Sequence, residues 1–146
     1  MNIPFLDRWR RSRPTDGSEG LAAAFAADPQ GVGELFSECA LLRSKAAAAG
    51  VVLDDSAASL IALDQLPPFW RDDSESLPWF GNDAGLYLGS VIVRGVHGAA
   101  WHVWPGGHPV VRLPSGREIH VVEAGLDWAI TGSPELYRVY AEASEA

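Results

Sequence analysis

The spacing of the apolar residues changes once along this chain, and that change limits the folds open to it. Up to Gly95 they recur every three or four positions, as on helices. From Ala99 to Val122 they alternate, interrupted twice by turn residues, Pro105-Gly-Gly-His108 and Pro114-Ser-Gly116. Three antiparallel strands follow over residues 99–104, 109–113 and 117–122. Helical spacing then returns around residues 123–130. It resumes after Ser133-Pro134-Glu135 with Leu136, Val139 and Tyr140 on one face. There is no strand–helix–strand alternation and no internal repeat. The order predicts an α+β fold, helices packed on one face of a three-stranded antiparallel meander, with C-terminal helices.

Ahead of the switch, residues 21–27 read as one or two helical turns. Asp28-Pro29 supplies an N-cap and a proline at the first helical position. Val32, Leu35, Phe36, Cys39, Leu42 and Ala46 then continue at helical spacing to Gly50, which predicts one long helix. Asp55 or Ser56 caps another, with Leu60, Ile61, Leu63 and Leu66 on its face and Pro67-Pro68 as its end. Residues 67–81 form a long connection with Phe69-Trp70 at one end and Trp79-Phe80 at the other. Four aromatics give it enough apolar area to be ordered, with Trp70 or Trp79 buried. A further helix is expected from Asn82 or Asp83, where Gly85 and Gly89 permit a neighbouring backbone to approach closely.

With Trp104 taken opposite Pro109, and Leu113 opposite Arg117, the strands acquire two faces. His102, Val111, Ile119, Leu113, Arg117 and Val121 fall on the face toward the helices. The other face aligns Trp101, Arg112 and Glu118, next to Val103, Val110 and His120. Trp101, Arg112, Glu118 and His120 are therefore the candidate binding surface. The plainer reading is a row that satisfies itself, an ion pair with the arginine stacked on the indole.

Charge divides the chain. Residues 1–13 carry Arg8, Arg10, Arg11 and Arg13 against Asp7, net +3, while the remainder carries seven basic and eighteen acidic groups, net −11. Phe5, Leu6 and Trp9 share one side of a short helix. Residues 1–20 thus read as a basic amphipathic arm and linker, and residues 21–146 as a single α+β domain. The arm is a docking element, with Phe5, Leu6, Trp9, Arg8, Arg10 and Arg11 as its contacts. A protein surface suits it; a membrane contact through three large apolar side chains would be weak. The acidic body repels phosphate, which disfavours nucleic acid. No stretch approaches the roughly 20 apolar residues that a membrane span requires. The opening residues also lack the apolar run of a secretion signal, so a cytoplasmic protein is expected. Ten arginines to one lysine, with many alanines, suggest a GC-rich bacterial genome.

The residues of common catalytic and metal sites do not line up. Cys39 is the only cysteine and lies on an apolar stripe, where it reads as a small buried side chain rather than a reactive thiol. His97, His102, His108 and His120 fall within 24 residues, but the register above sets His102 and His120 on opposite faces and leaves His108 in a turn. Zinc needs its ligands to converge at about 2 Å, so no metal site is expected. Asp72, Asp73, Glu75 and Asp83 lack the spacing of a calcium loop. Glu118 and Glu123 are ordinary surface glutamates, and the glycines at 106 and 107 make a turn, not a phosphate loop. No catalytic residue and no cofactor is assigned.

The segments Gly81-Asn-Asp-Ala-Gly-Leu-Tyr-Leu-Gly-Ser-Val-Ile-Val-Arg94 and Trp101-His-Val-Trp-Pro-Gly-Gly-His-Pro-Val-Val-Arg-Leu-Pro-Ser-Gly-Arg117 form the most distinctive part of the chain. With Leu60-Ile-Ala-Leu-Asp-Gln65 and Asn2-Ile-Pro-Phe-Leu-Asp7, the chain resembles a family of small actinobacterial proteins known only as a domain of unknown function. The resemblance implies a bacterial cytoplasmic protein and brings no site residue with it. The expected function is that of a non-catalytic interaction or regulatory protein, docking a partner through the arm or an aromatic patch. The alternative is a small-molecule binder or enzyme with a pocket between the meander and loop 67–81.

Overall fold

Helical spacing becomes helix in the computed structural model, which describes residues 17–145. The arm residues Phe5, Leu6, Trp9, Arg8, Arg10 and Arg11 lie outside the described residues. Helix α1 runs Gly17–Ala27, beginning inside the stretch read as linker. Helix α2 is Pro29–Phe36, capped by the Asp28 side chain, which accepts the Gly31 N–H at 3.0 Å. Helices α3 (Ala40–Ala48) and α4 (Ala57–Asp64) follow, then a 3-10 turn at Phe69–Asp72 and helix α5 (Leu77–Gly95). Strands β1 (Ala100–Val103), β2 (Pro109–Arg112) and β3 (Glu118–Ile119) make the antiparallel meander. Helices α6 (Val121–Thr131) and α7 (Leu136–Glu145) close the fold. The architecture is α+β, as the change of spacing predicts.

Helix α5 is the axis of the core. From Phe80 to Ile92 nearly every side is buried, the pattern of a helix enclosed by protein. Its glycines set how closely α6 approaches. A Cβ on Gly85 would strike the Val121 carbonyl and lie 2.6 Å from Val122 Cα, and one on Gly125 would lie 2.5 Å from Gly85 Cα. Backbone therefore meets backbone at this crossing. Gly89 does a different job: a Cβ there would run into the indole of Trp101. The connection is shorter than predicted, because α5 starts at Leu77 rather than at Asn82 or Asp83 and takes in Trp79 and Phe80, and what remains is ordered through Trp70. Trp70 is 2% exposed, packs against Phe80 and Trp128 at 4.7 and 4.8 Å in a three-ring cluster, and donates its indole N–H to the Ala129 carbonyl at 2.8 Å.

The predicted single helix over residues 29–49 is two helices. Cys39 sits in the left-handed region, φ 42°, and breaks the chain between α2 and α3. Tertiary partners hold the break open. Arg43 donates to the carbonyls of Ser37 and Glu38 at 2.9 and 3.0 Å, and to Leu53 at 2.8 Å. Cys39 provides no side-chain cap, and Asp83 of α5 takes over by accepting the Leu42 N–H at 3.1 Å. Helix α7 is capped in the same manner from α4, where Asp64 accepts the N–H groups of Leu136 and Tyr137 at 2.8 and 2.9 Å. These carboxylates satisfy orphan N–H groups that neither helix can satisfy locally.

Burial pushes the Asp83 carboxyl up to about 6, against the pull of the Leu42 and Leu41 N–H groups. The folded-state value lies above that of the unfolded chain, so its stabilising contribution is complete at low pH and lost as pH rises through about 6. Stability should fall by about 1 kcal/mol between roughly pH 5 and pH 7.5 from this group alone. Asp64, also raised by burial, acts in the same direction. Urea unfolding at the two pH values should show the loss. Asp83→Asn, which keeps an acceptor for Leu42, should flatten most of it. An equal slope in that variant would show that Asp83 does not carry the effect.

In the meander the second hairpin has the expected register, with Arg112 opposite Glu118, and the first is shifted by one residue. Trp101 pairs with Val111 and His102 with Val110. The cause lies in the turn. Gly107, at φ 87°, donates to the Trp104 carbonyl at 2.7 Å, and Trp104 N–H donates to His108 at 3.0 Å. The loop is therefore Pro105-Gly106-Gly107, three residues rather than four. Pro114-Ser115-Gly116 builds the same turn, with Gly116 at φ 93°. Such loops place proline where φ is preset and glycine where it must be positive. Val111, Leu113, Ile119 and Val121 are buried as predicted, but Val103 and Trp101 join them on the core face while Arg117 is exposed. The third strand ends at Ile119, and Val121 already belongs to α6.

Candidate functional site

The shifted register rebuilds the outer face of the sheet. Trp101 leaves it; the indole lies against α2 and α5, 4.8 Å from the Phe36 ring, with Gly33 and Gly89 making room. Trp101, Arg112 and Glu118 are thus not one row, because a one-residue slip turns every side chain of β1 over. Arg112 and Glu118 do pair, at 2.8 and 3.2 Å, and Trp104 donates its indole N–H to the second Glu118 oxygen at 3.0 Å. The guanidinium beside Glu118, with the indole N–H, holds its carboxyl below the ordinary range. The row satisfies itself through Trp104 in place of Trp101.

The same slip brings histidines together. His102 and His120 now share the outer face on either side of Val110, and the geometric argument against convergence falls. His108 Nε2 lies 3.1 Å from His120 Nδ1, with the rings 28° from parallel. Trp104 packs edge-on against both imidazoles at 5.3 Å, and Val110, paired with His102 in the sheet, is fully buried. Glu123 joins from the first turn of α6: ligand atoms of His108, His120 and Glu123 all lie within 4.8 Å of one another. His120 and Glu123 are three residues apart where α6 begins, so they share a side. Both histidines are half-buried and the glutamate is exposed, which leaves the group open to solvent.

A second feature lies on the opposite side of β1. An open groove of about 370 Å³ runs between α1, α2, the end of α5 and β1, lined by Phe25, Gly33, Val93 and Trp101. Glu34 and Arg94 border it, and Ser90, 3% exposed, lines its base with a hydroxyl that has no hydrogen-bond partner among the described residues. Loop 67–81, expected to border a pocket with the meander, packs on α6 through Trp70.

Other polar groups are structural. The Cys39 thiol, raised by burial and by Asp83, donates to the carbonyls of Phe36 and Asp83. Asp73 accepts the Ser76 N–H at 3.2 Å, and Asp83 is interior to the core. Tyr87 lies under Arg43 at 5.3 Å, accepts the Asp55 N–H at 2.9 Å and meets Ser59 Oγ at 2.6 Å. Sequence reasoning missed this network, whose members lie up to 44 residues apart (Arg43 and Tyr87).

Among the described residues no helix is long and apolar enough to cross a membrane. No curated protein and no solved structure matches the chain. Over residues 1–146 the sequence matches a family of unknown function (DUF6278), and with the whole chain covered, the protein belongs to that family.

Proposed function

We propose that this protein acts by docking rather than by catalysis, as a small bacterial interaction domain whose groove beside β1 receives a short basic, aromatic segment. The groove itself carries this reading: an open apolar trough based on Trp101, about 370 Å³ in volume, with Glu34 and Arg94 at its border. Between residues 17 and 42 the chain has Glu19, Asp28, Glu34 and Glu38 and no basic residue. The occupant we assign is the chain's own arm. Phe5, Leu6 and Trp9 supply apolar area, and four arginines complement the negative charge of residues 17–42. Helix α1 is about 16 Å long, and the seven residues from 10 to 16 reach about 24 Å when extended, enough for Trp9 to return to the groove. The arm then competes with a partner's segment of like chemistry, which gives the domain a regulatory form suited to the bacterial cytoplasm.

A spin label on Ser12→Cys tests this, since Cys39 is buried and escapes labelling. The amide signals of Gly33, Val93 and Ala100 should broaden, and Gly33→Leu, which fills the groove, should abolish the broadening. Unbroadened signals in the labelled chain would mean that the arm is not in the groove.

The unpartnered Ser90 hydroxyl favours a second reading, a small apolar ligand with one hydrogen-bonding group in the same groove. Ser90→Ala separates the two: it should weaken such a ligand and leave the arm's broadening unchanged.

A further inference from the structure

We infer that His108, His120 and Glu123 form a binding site for one divalent transition-metal ion of the zinc class, with a coordination position open to solvent. Metal–nitrogen bonds of about 2.0–2.1 Å place two imidazole nitrogens on one ion about 2.9 Å apart at right angles, or about 3.4 Å apart in tetrahedral geometry. His108 Nε2 and His120 Nδ1 are 3.1 Å apart, inside that interval. A hydrogen bond alone accounts for the pair of rings, but not for the carboxylate beside them. Glu123 forms no ion pair among the described residues, and its oxygen lies within 4.8 Å of both nitrogens. A rotamer change of this exposed side chain completes the set.

The fold holds two of the three ligands in place. The Pro-Gly-Gly loop delivers His108 through its backbone bond to Trp104, and His120 sits at the entrance to α6. The Trp104 ring lies edge-on to both imidazoles, and its N–H is anchored on Glu118. Two imidazoles and one carboxylate select a borderline ion such as Zn²⁺ over Mg²⁺ or Ca²⁺, which take oxygen ligands. Three protein ligands leave a fourth position for water or a donor atom from a ligand. The site is on the outer face of the sheet, away from the groove, and does not depend on what the groove binds.

The test uses the full, untagged chain after dialysis against a chelator, titrated with Co²⁺ followed by optical absorption. One equivalent should saturate a visible band, and Zn²⁺ should displace it. His108→Ala and His120→Ala should each weaken binding by at least about tenfold, and Glu123→Gln by several-fold. His102→Ala, on the same face but outside the cluster, should bind as the parent does. The assignment is overturned if the folded parent shows no saturable band up to about 1 mM Co²⁺, well above any specific site's range. It is equally overturned if the His108→Ala, His120→Ala double variant binds as tightly as the parent.

Discussion

Gly85→Ala should destabilise the protein by about 3 kcal/mol, although alanine is the better helix former by about 1 kcal/mol. The added methyl meets the Val121 carbonyl and the Val122 Cα, neither of which can swing aside as a side-chain tip can. Relief requires α6 to move off α5, which would loosen the Trp70–Trp128 stack and the start of α6 where His120 and Glu123 stand. Gly125→Ala, facing the same crossing from α6, should behave alike. Gly33→Ala is the control: its methyl would meet only the Trp101 ring at 3.4 Å, an ordinary contact, so it should be neutral or slightly stabilising. In a domain this size the loss at Gly85 corresponds to a melting temperature lower by about 10 °C. A Gly85→Ala midpoint equal to that of Gly33→Ala would mean that the two helices do not cross as described.

Trp70→Ala should cost about 3–5 kcal/mol, the range for emptying a buried aromatic site. The indole is 2% exposed and packs against both Phe80 of α5 and Trp128 of α6, so its removal leaves a cavity that rigid neighbours cannot close. Trp70→Phe separates stacking from hydrogen bonding. It keeps a ring against its neighbours and loses only the bond to the Ala129 carbonyl, which Arg71 Nε still serves at 3.0 Å. A loss of about 1 kcal/mol is expected there. Near-equal losses in the two variants would show that the hydrogen bond, not the packing, anchors the connection.

The histidine cluster was nearly legible. Pro105-Gly106-Gly107 and Pro114-Ser115-Gly116 share the pattern Pro-x-Gly, and treating both as the same three-residue loop yields the observed register. The ambiguity is physical. His108 serves equally as the last residue of a four-residue loop or the first of a strand, and alternation reads the same in either frame. Trp101 misled for a related reason. An indole on a sheet reads as a surface aromatic until the small residues that admit it, Gly33 and Gly89, are known to face it.

The sequence by itself determined what local physics governs: the change from helical to alternating spacing, the caps at Asp28 and Ser56, the prolines that end and begin helices, and the glycines whose positive φ shapes both turns. Those signals act over a few residues and were enough for an α+β chain with a meander followed by helices. Tertiary structure decided the rest. The break at Cys39 exists because Arg43 and Asp83 satisfy the groups that it exposes, and α7 starts where Asp64 can cap it from 72 residues away. Helix α6 begins at Val121 rather than continuing a strand because its backbone seats against Gly85. That early start turns His120 and Glu123 toward His108. Each of these depends on groups far apart in the chain meeting at hydrogen-bond or van der Waals distance, and spacing along one sequence carries no measure of that distance.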